Sequence, residues 1–214
     1  MKIVVENLRL ERGARAIVAG LSLTVASGEA LLLTGANGAG KSTLLRALAG
    51  LFSPASGKIR LDGLDAESTV GEKCHFIGHH NGLKSSLTAA ENLTFWSNYL
   101  GATGPSRVAA ALGRLQLSSL ETIPAAYLST GQKRRLGLAR LLVADRPIWL
   151  LDEPTVSLDQ TSARLLADII NTHVASGGIA IAATHLPLGL TNTRELRLTP
   201  PTNTGPTSTD EAAP

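Results

Sequence analysis

Apolar and polar residues alternate near the start of the chain in two stretches, Ile3 to Leu10 and Ile17 to Val25, and in the second Leu21, Leu23 and Val25 share one face. That period of two predicts half-buried antiparallel strands. The pattern then changes. Ala30 to Leu33 is a continuous apolar run between Gly28 and Gly35, and similar runs follow at Ile148 to Leu151 and Ile179 to Ala183. Runs without alternation predict strands buried on both faces, and the helical patterns between them predict a mainly parallel sheet covered on both sides. The expected fold class is therefore α/β, with an antiparallel β region at the N-terminus. Residues from about 86 to 126 lean helical and hold Phe95, Trp96 and Tyr99, which predicts an inserted helical subdomain. From Pro200 the chain runs PPTNTGPTSTDEAAP, with no large apolar residue after Leu198. Such a segment cannot bury enough surface to offset its ordering entropy. A single domain over residues 1–199 and a disordered tail over 200–214 are expected.

Composition narrows the function classes. A chain of 214 residues that is 43% hydrophobic can bury the core of one domain. No stretch approaches the roughly 18 uninterrupted apolar residues of a transmembrane helix. Glu6, Arg9, Glu11 and Arg12 stand where a secretory signal would be apolar, so export of the chain is not expected. The lone Cys74 rules out an intrachain disulfide. Net charge is +3, and because Asp210 and Glu211 lie in the tail, the body is more basic than that. A mild surplus suits a phosphate-bearing ligand or an anionic membrane surface. No dense basic stripe interleaved with aromatics points to nucleic acid, and a nucleic-acid partner is not expected.

The chemistry begins after the first buried run. Gly35, Ala36, Asn37, Gly38, Ala39, Gly40, Lys41, Ser42 and Thr43 match G-x-x-x-x-G-K-[ST], between a strand and the helical pattern TLLRALAGL. Glycines let the backbone wrap closely, so that successive N–H groups point at phosphate oxygens, and the helix start adds its free amides. Lys41 brings a full charge to the β and γ phosphates, and the Ser42 hydroxyl is the expected Mg²⁺ ligand. An ordinary strand-to-helix turn would explain the glycines but not Lys41 followed by Ser42. Further on, IWLLDE ends an apolar strand in two carboxylates. They fall at the carboxyl edge of the sheet, where open α/β sheets bind ligands. Asp152 can hold Mg²⁺ through water, and Glu153 can orient the water that attacks the γ phosphate.

Leu128 to Val143, LSTGQKRRLGLARLLV, resembles the signature of ABC-type ATPase cassettes. The order of motifs matches as well: glycine loop, signature, acidic strand, the Ser157-Leu158-Asp159 turn, and Ala183-Thr184-His185 after the last buried run. The resemblance covers residues 1 to about 198 and implies a P-loop NTPase fold of the ABC nucleotide-binding type, its helical subdomain spanning about 86–135. It implies an ATP hydrolase that uses ATP and Mg²⁺ and works as a head-to-tail dimer with a second ATPase subunit. In that dimer Ser129, Gly131 and Gln132 of one chain complete the nucleotide site of the other. His185 and Lys41 join Glu153 as catalytic residues, and Asp159 connects the two sites. The start of the signature helix offers a physical reason, since its free amides form a second anion site.

Two positions depart from the family pattern. Arg12 stands where an aromatic usually stacks on adenine, and a guanidinium plane can also stack on a base. His80 stands at the position of the switch-loop glutamine in FIGHHNGLK. ERG in place of the aromatic, GHxxGLK before the LTAAENL helix and a very short cassette together resemble the ATP-binding subunits of the haem exporters of cytochrome c maturation. That resemblance implies a peripheral position on the cytoplasmic face of the bacterial inner membrane, bound to integral membrane subunits. Haem would be handled by the complex rather than by this chain, and His79 and His80 are not read as haem ligands. The alternatives are the ATPase subunit of another exporter, for lipid or peptide, and a soluble ABC protein outside transport.

Overall fold

The computed structural model describes residues 1–13, 15–64, 68–102, 105–185 and 188–201. The expectation for the tail falls almost wholly on residues 202–214, which lie outside the described residues.

The alternating stretches at the start form a hairpin, β1 (Lys2–Arg12) and β2 (Arg15–Ala26), and β4 (Ser56–Asp62) pairs with the other edge of β1. This antiparallel sheet has the order β2-β1-β4. The continuous apolar runs become β3 (Ala30–Thr34), β6 (Ile148–Asp152) and β7 (Ile179–Ala183), with every residue of β6 and β7 buried. Together with β5 (Cys74–Ile77) and β8 (Thr193–Arg197) they form a five-stranded sheet in the order β5-β6-β7-β3-β8. All four of its pairings are parallel, as the alternation of strands and helices requires.

Because successive residues of a strand point to opposite faces, β3, β6 and β7 feed two cores. Leu31, Leu33, Ile148, Leu150, Ile179 and Ile181 pack with Ile3, Val5, Leu8 and Leu10 of β1 and with Leu44, Leu45 and Leu48 of α1 (Lys41–Leu48). Trp149, Leu151, Ala180 and Ala182 belong to the other core. That side is covered by α2 (Ala89–Tyr99), α3 (Pro105–Arg114), α4 (Thr130–Val143) and α5 (Gln160–Ala175), through residues such as Leu93, Leu112, Leu136 and Ile170. α2 and α3 occupy the stretch expected to be helical. α4 runs unbroken past residue 135, so the helical lobe and the sheet share this helix.

Three strands carry no signal that the apolar pattern could reveal. β8 is a polar edge strand, and β5 is four residues long with His75 inside it. β4 is mostly exposed on the small sheet. Cys74 and His75 are both buried in β5. Burial pushes the Cys74 thiol up to about 12, which leaves it protonated and unreactive.

Candidate nucleotide site

The site lies at the carboxyl ends of β3, β6 and β7. Gly35, at φ 126°, follows β3, and a Cβ there would stand 2.3 Å from the Leu198 carbonyl oxygen. Gly40, at φ 99°, is the N-cap of α1 in the left-handed region, and a Cβ on it would crowd Ile17 at 2.9 Å. Only glycine lets the loop turn this tightly into the helix. The Lys41 side chain is 7% exposed. Its ammonium group donates to Gly35 O at 2.8 Å and Ala36 O at 3.2 Å, and lies 3.2 Å from His185 Nε2. The Ser42 hydroxyl donates to Asp152 Oδ1 at 2.9 Å, joining the glycine loop to the end of β6.

Glu153, the next residue, adopts φ 46°, a conformation L-residues favour only where the surroundings enforce it. Its amide donates to Ala183 O at 2.9 Å, and its Oε1 lies 3.3 Å from His185 Nε2. One ring nitrogen therefore stands between an ammonium and a carboxylate. Neutral, it offers a lone pair to Lys41; protonated, it donates to Glu153.

A cavity of about 640 Å³ opens over these groups. Among the expected site residues Arg12, Asn37, Gly38, Gly40, Lys41, Ser42, Thr43, Glu153 and His185 line it. Asp152, 5% exposed, lies behind Ser42. Arg15 and Ile17 also line the cavity, and sequence reasoning missed both. Arg15 is the register partner of Arg12 across the hairpin end, so the spacing of two arginines about a predicted turn was the available signal. A separate cavity of about 480 Å³, among Arg114, Arg146, Trp149 and His173 near the start of β6, holds none of the expected site residues.

The remaining site residues are not brought to this cavity. Ser129 caps α4: its hydroxyl accepts from the Gln132 amide at 3.2 Å, while the Gln132 side chain accepts from the Ser129 amide at 2.8 Å. This reciprocal box fixes the helix start and leaves it facing solvent. Gly131 abuts the Ser157 turn, where a Cβ would come 3.1 Å from the Ser157 carbonyl oxygen. Asp159 caps α5 by accepting from the Ser162 amide at 2.7 Å, and that bond holds its carboxyl below the usual range. His80 is exposed, with its ring edge-on to His79 at 5.6 Å.

A glycine loop between a buried parallel strand and a helix, with carboxylates on the adjacent strand ends, defines a P-loop nucleotide-binding protein. Residues 18–156 match the family model described as ABC transporter. The chain is 50% identical over 198 residues, covering 92% of it and 98% of the relative, to the cytochrome c biogenesis ATP-binding export protein CcmA of Rhodopseudomonas palustris. Among solved structures it is similar to an ATP-binding subunit of an ABC transporter, with a TM-score of 0.77 at 26% identity over 87% of this chain and 80% of that one. It shares the fold of a dimeric ATP-binding cassette in a post-hydrolysis state bound to ADP and Pi, with a TM-score of 0.76 at 23% identity over 86% and 88% of the two chains. The chain belongs to the ABC transporter family as one of its ATP-binding, ATP-hydrolysing proteins, and within it to the cytochrome c biogenesis ATP-binding export proteins.

Proposed function

We propose that this chain is the ATPase subunit of the haem exporter of cytochrome c maturation, where ATP hydrolysis drives haem export or release of a haem-loaded chaperone. The observation that carries the ATPase chemistry is the convergence of Lys41, Ser42, Asp152, Glu153 and His185 at three strand ends. The assignment to haem export is supported by the 50% identity to a cytochrome c biogenesis export protein over nearly the whole of both chains.

In this reading residues 1–199 act as one domain, with the helical lobe at about 86–135. The loop amides of Gly35, Ala36, Asn37, Gly38, Ala39 and Gly40 bind the phosphate chain, and Lys41 exchanges its carbonyl partners for the β and γ phosphates. Ser42 Oγ and the Asp152 carboxylate, 2.9 Å apart and both hard oxygen donors, suit Mg²⁺. When bound, that ion neutralises charge on the β and γ phosphates. Glu153 orients a water and takes its proton as the new O–P bond forms and the bond to the β phosphate oxygen breaks. His185 contacts the γ phosphate, and the Arg12 and Arg15 guanidiniums supply the base platform that no aromatic provides. Ser129 and Gly131 of a second copy close over the same nucleotide in a head-to-tail dimer, with Gln132 fixing the turn that presents them. His80, with the 78–84 loop, faces the integral membrane subunits at the cytoplasmic face of the inner membrane. The stacked, exposed pair Phe95 and Tyr99 on α2, their rings 6.1 Å apart, supports docking of an apolar partner.

Glu153→Gln tests the chemistry. ATP binding is expected to persist and nucleotide-bound dimer to accumulate, while steady-state turnover falls by about 100-fold or more. Full turnover in this variant would remove Glu153 from the mechanism. For the cargo, ATP turnover of the complex with its membrane subunits is expected to rise with haem or its carrier and not with lipid or peptide.

A further inference from the structure

One buried charge touches the backbone behind the nucleotide cavity. Arg134, in the second turn of α4, is 4% exposed, and every N–H of its guanidinium is used. Its Nε donates to Pro154 O at 3.1 Å. One terminal nitrogen donates to Gly78 O at 3.0 Å and Asn81 Oδ1 at 3.1 Å. The other donates to Asp152 O at 3.2 Å and Glu153 O at 2.8 Å. The fork thus joins three pieces of chain: the helix that starts at Ser129, the 78–81 loop, and the turn that carries Glu153.

Five donors in a rigid plane meet five acceptors, four of them main-chain carbonyls, so the contact fixes backbone position. Glu153 needs such a restraint, because its φ of 46° is held only by its surroundings. Burial lowers the guanidinium from its ordinary value, while the carboxylates of Asp152 and Glu153 push the other way. A lysine ammonium, a point with three donors, cannot span the same five acceptors.

We propose that Arg134 is a positioning residue for ATP hydrolysis: by gripping the carbonyls of Asp152, Glu153 and Pro154 it holds the Glu153 carboxylate of its own chain at the attacking water. The proposal rests on the reading of Glu153 given above. It also couples the 78–81 loop to the hydrolytic turn, so the two segments move together.

Arg134→Lys is expected to lower kcat by about 10-fold or more while leaving KM for ATP within about twofold. Mixed dimers, purified with two affinity tags, separate this effect from a general defect. The reference is a dimer of one unaltered chain and one Glu153→Gln chain. With Arg134→Lys placed on the unaltered partner, the remaining Glu153 loses its own restraint, and the rate is expected to fall about 10-fold below the reference. With both substitutions on one chain, the remaining Glu153 keeps its Arg134, and the reference rate is expected to persist. Equal losses in both arrangements, or a loss only in the second, would overturn the proposal. Turnover in the Glu153→Gln homodimer would instead overturn the Glu153 reading itself. Should Arg134→Lys fail to melt cooperatively, amide exchange in the otherwise unaltered protein decides. Residues 78–81 and 153–156 are expected to become protected together when a non-hydrolysable ATP analogue binds, and protection of either segment alone would overturn the coupling.

Discussion

His75 shows how burial sets the chemistry of a single side chain. It is 2% exposed in β5, and its Nε2 donates to Ala144 O at 2.9 Å. Burial is the main cause that lowers its pKa from the ordinary value to about 4. The Ala144 bond opposes that shift, and Arg140, Arg146 and His173 add to it. An unfolded chain takes up a proton at this residue near pH 6.5, whereas the folded chain does so only near pH 4. Between those values the unfolded state binds more protons, so stability falls as the pH falls through that window, by about 3 kcal/mol in total. The melting temperature is expected to decline from pH 6.5 toward pH 4.5. His75→Gln, neutral and still able to donate to the Ala144 carbonyl, should remove much of that decline. An unchanged pH profile in the variant, followed by calorimetry or circular dichroism, would place the acid sensitivity elsewhere.

At the scale of elements, capping decides where helices begin. Thr88 precedes α2, accepts from the Glu91 amide at 3.2 Å and receives the Glu91 carboxylate on its own amide at 2.8 Å. Asn92, 2% exposed, adds four bonds to the backbone of Lys84, Leu87 and Thr88, so the start of α2 and the 84–88 segment form one unit. Thr88→Ala is expected to cost about 1 kcal/mol in denaturant unfolding and to leave ATP affinity unchanged, since α2 lines no part of the nucleotide cavity. Elements of this kind were legible in different degrees. β3, β6 and β7 declare themselves because strands buried on both faces must be apolar throughout. β8 does not, because Arg194 and Glu195 are exposed and the strand is held by its backbone bonds to β3 and by polar bonds of Arg194 to Glu29 and of Thr34 to Glu195, none of which an apolar pattern registers. Lys41, Ser42 and Glu153 were readable from spacing, since a loop of fixed length or a single strand end places each. Arg15 was readable only through its spacing from Arg12 about the turn, and Arg134 was not. The first reaches the site across a hairpin end, and the second binds mainly carbonyls, which are the same for every residue type.

For the whole molecule the decisive feature of the proposed reading is that one chain carries two helix starts with free amides, at α1 and at α4, on different faces. The start of α1 closes on the cavity beneath Glu153 and His185, whereas the start of α4, at Ser129, faces solvent, where the proposed dimer would bring a second copy. If the two serve one nucleotide only across a dimer, it should be possible to disable the second without touching the first. Ser129→Asp does this. Aspartate caps a helix as well as serine does, and its charge favours the positive helix end, so the melting temperature is expected to hold or rise slightly. The same charge stands where the γ phosphate bound to another copy would approach, and two anions then compete for one set of amides. ATP affinity of the separate chain, measured by fluorescent-nucleotide titration, is expected to stay within about twofold, because only the first helix start contributes to it. In the Glu153→Gln background, where dimer is expected to accumulate, adding Ser129→Asp is expected to abolish the ATP-dependent dimer detected by light scattering. In the unaltered background it should remove turnover. Persistence of the dimer would mean that α4 does not contact the shared nucleotide, and the site would then have to be completed from within a single chain.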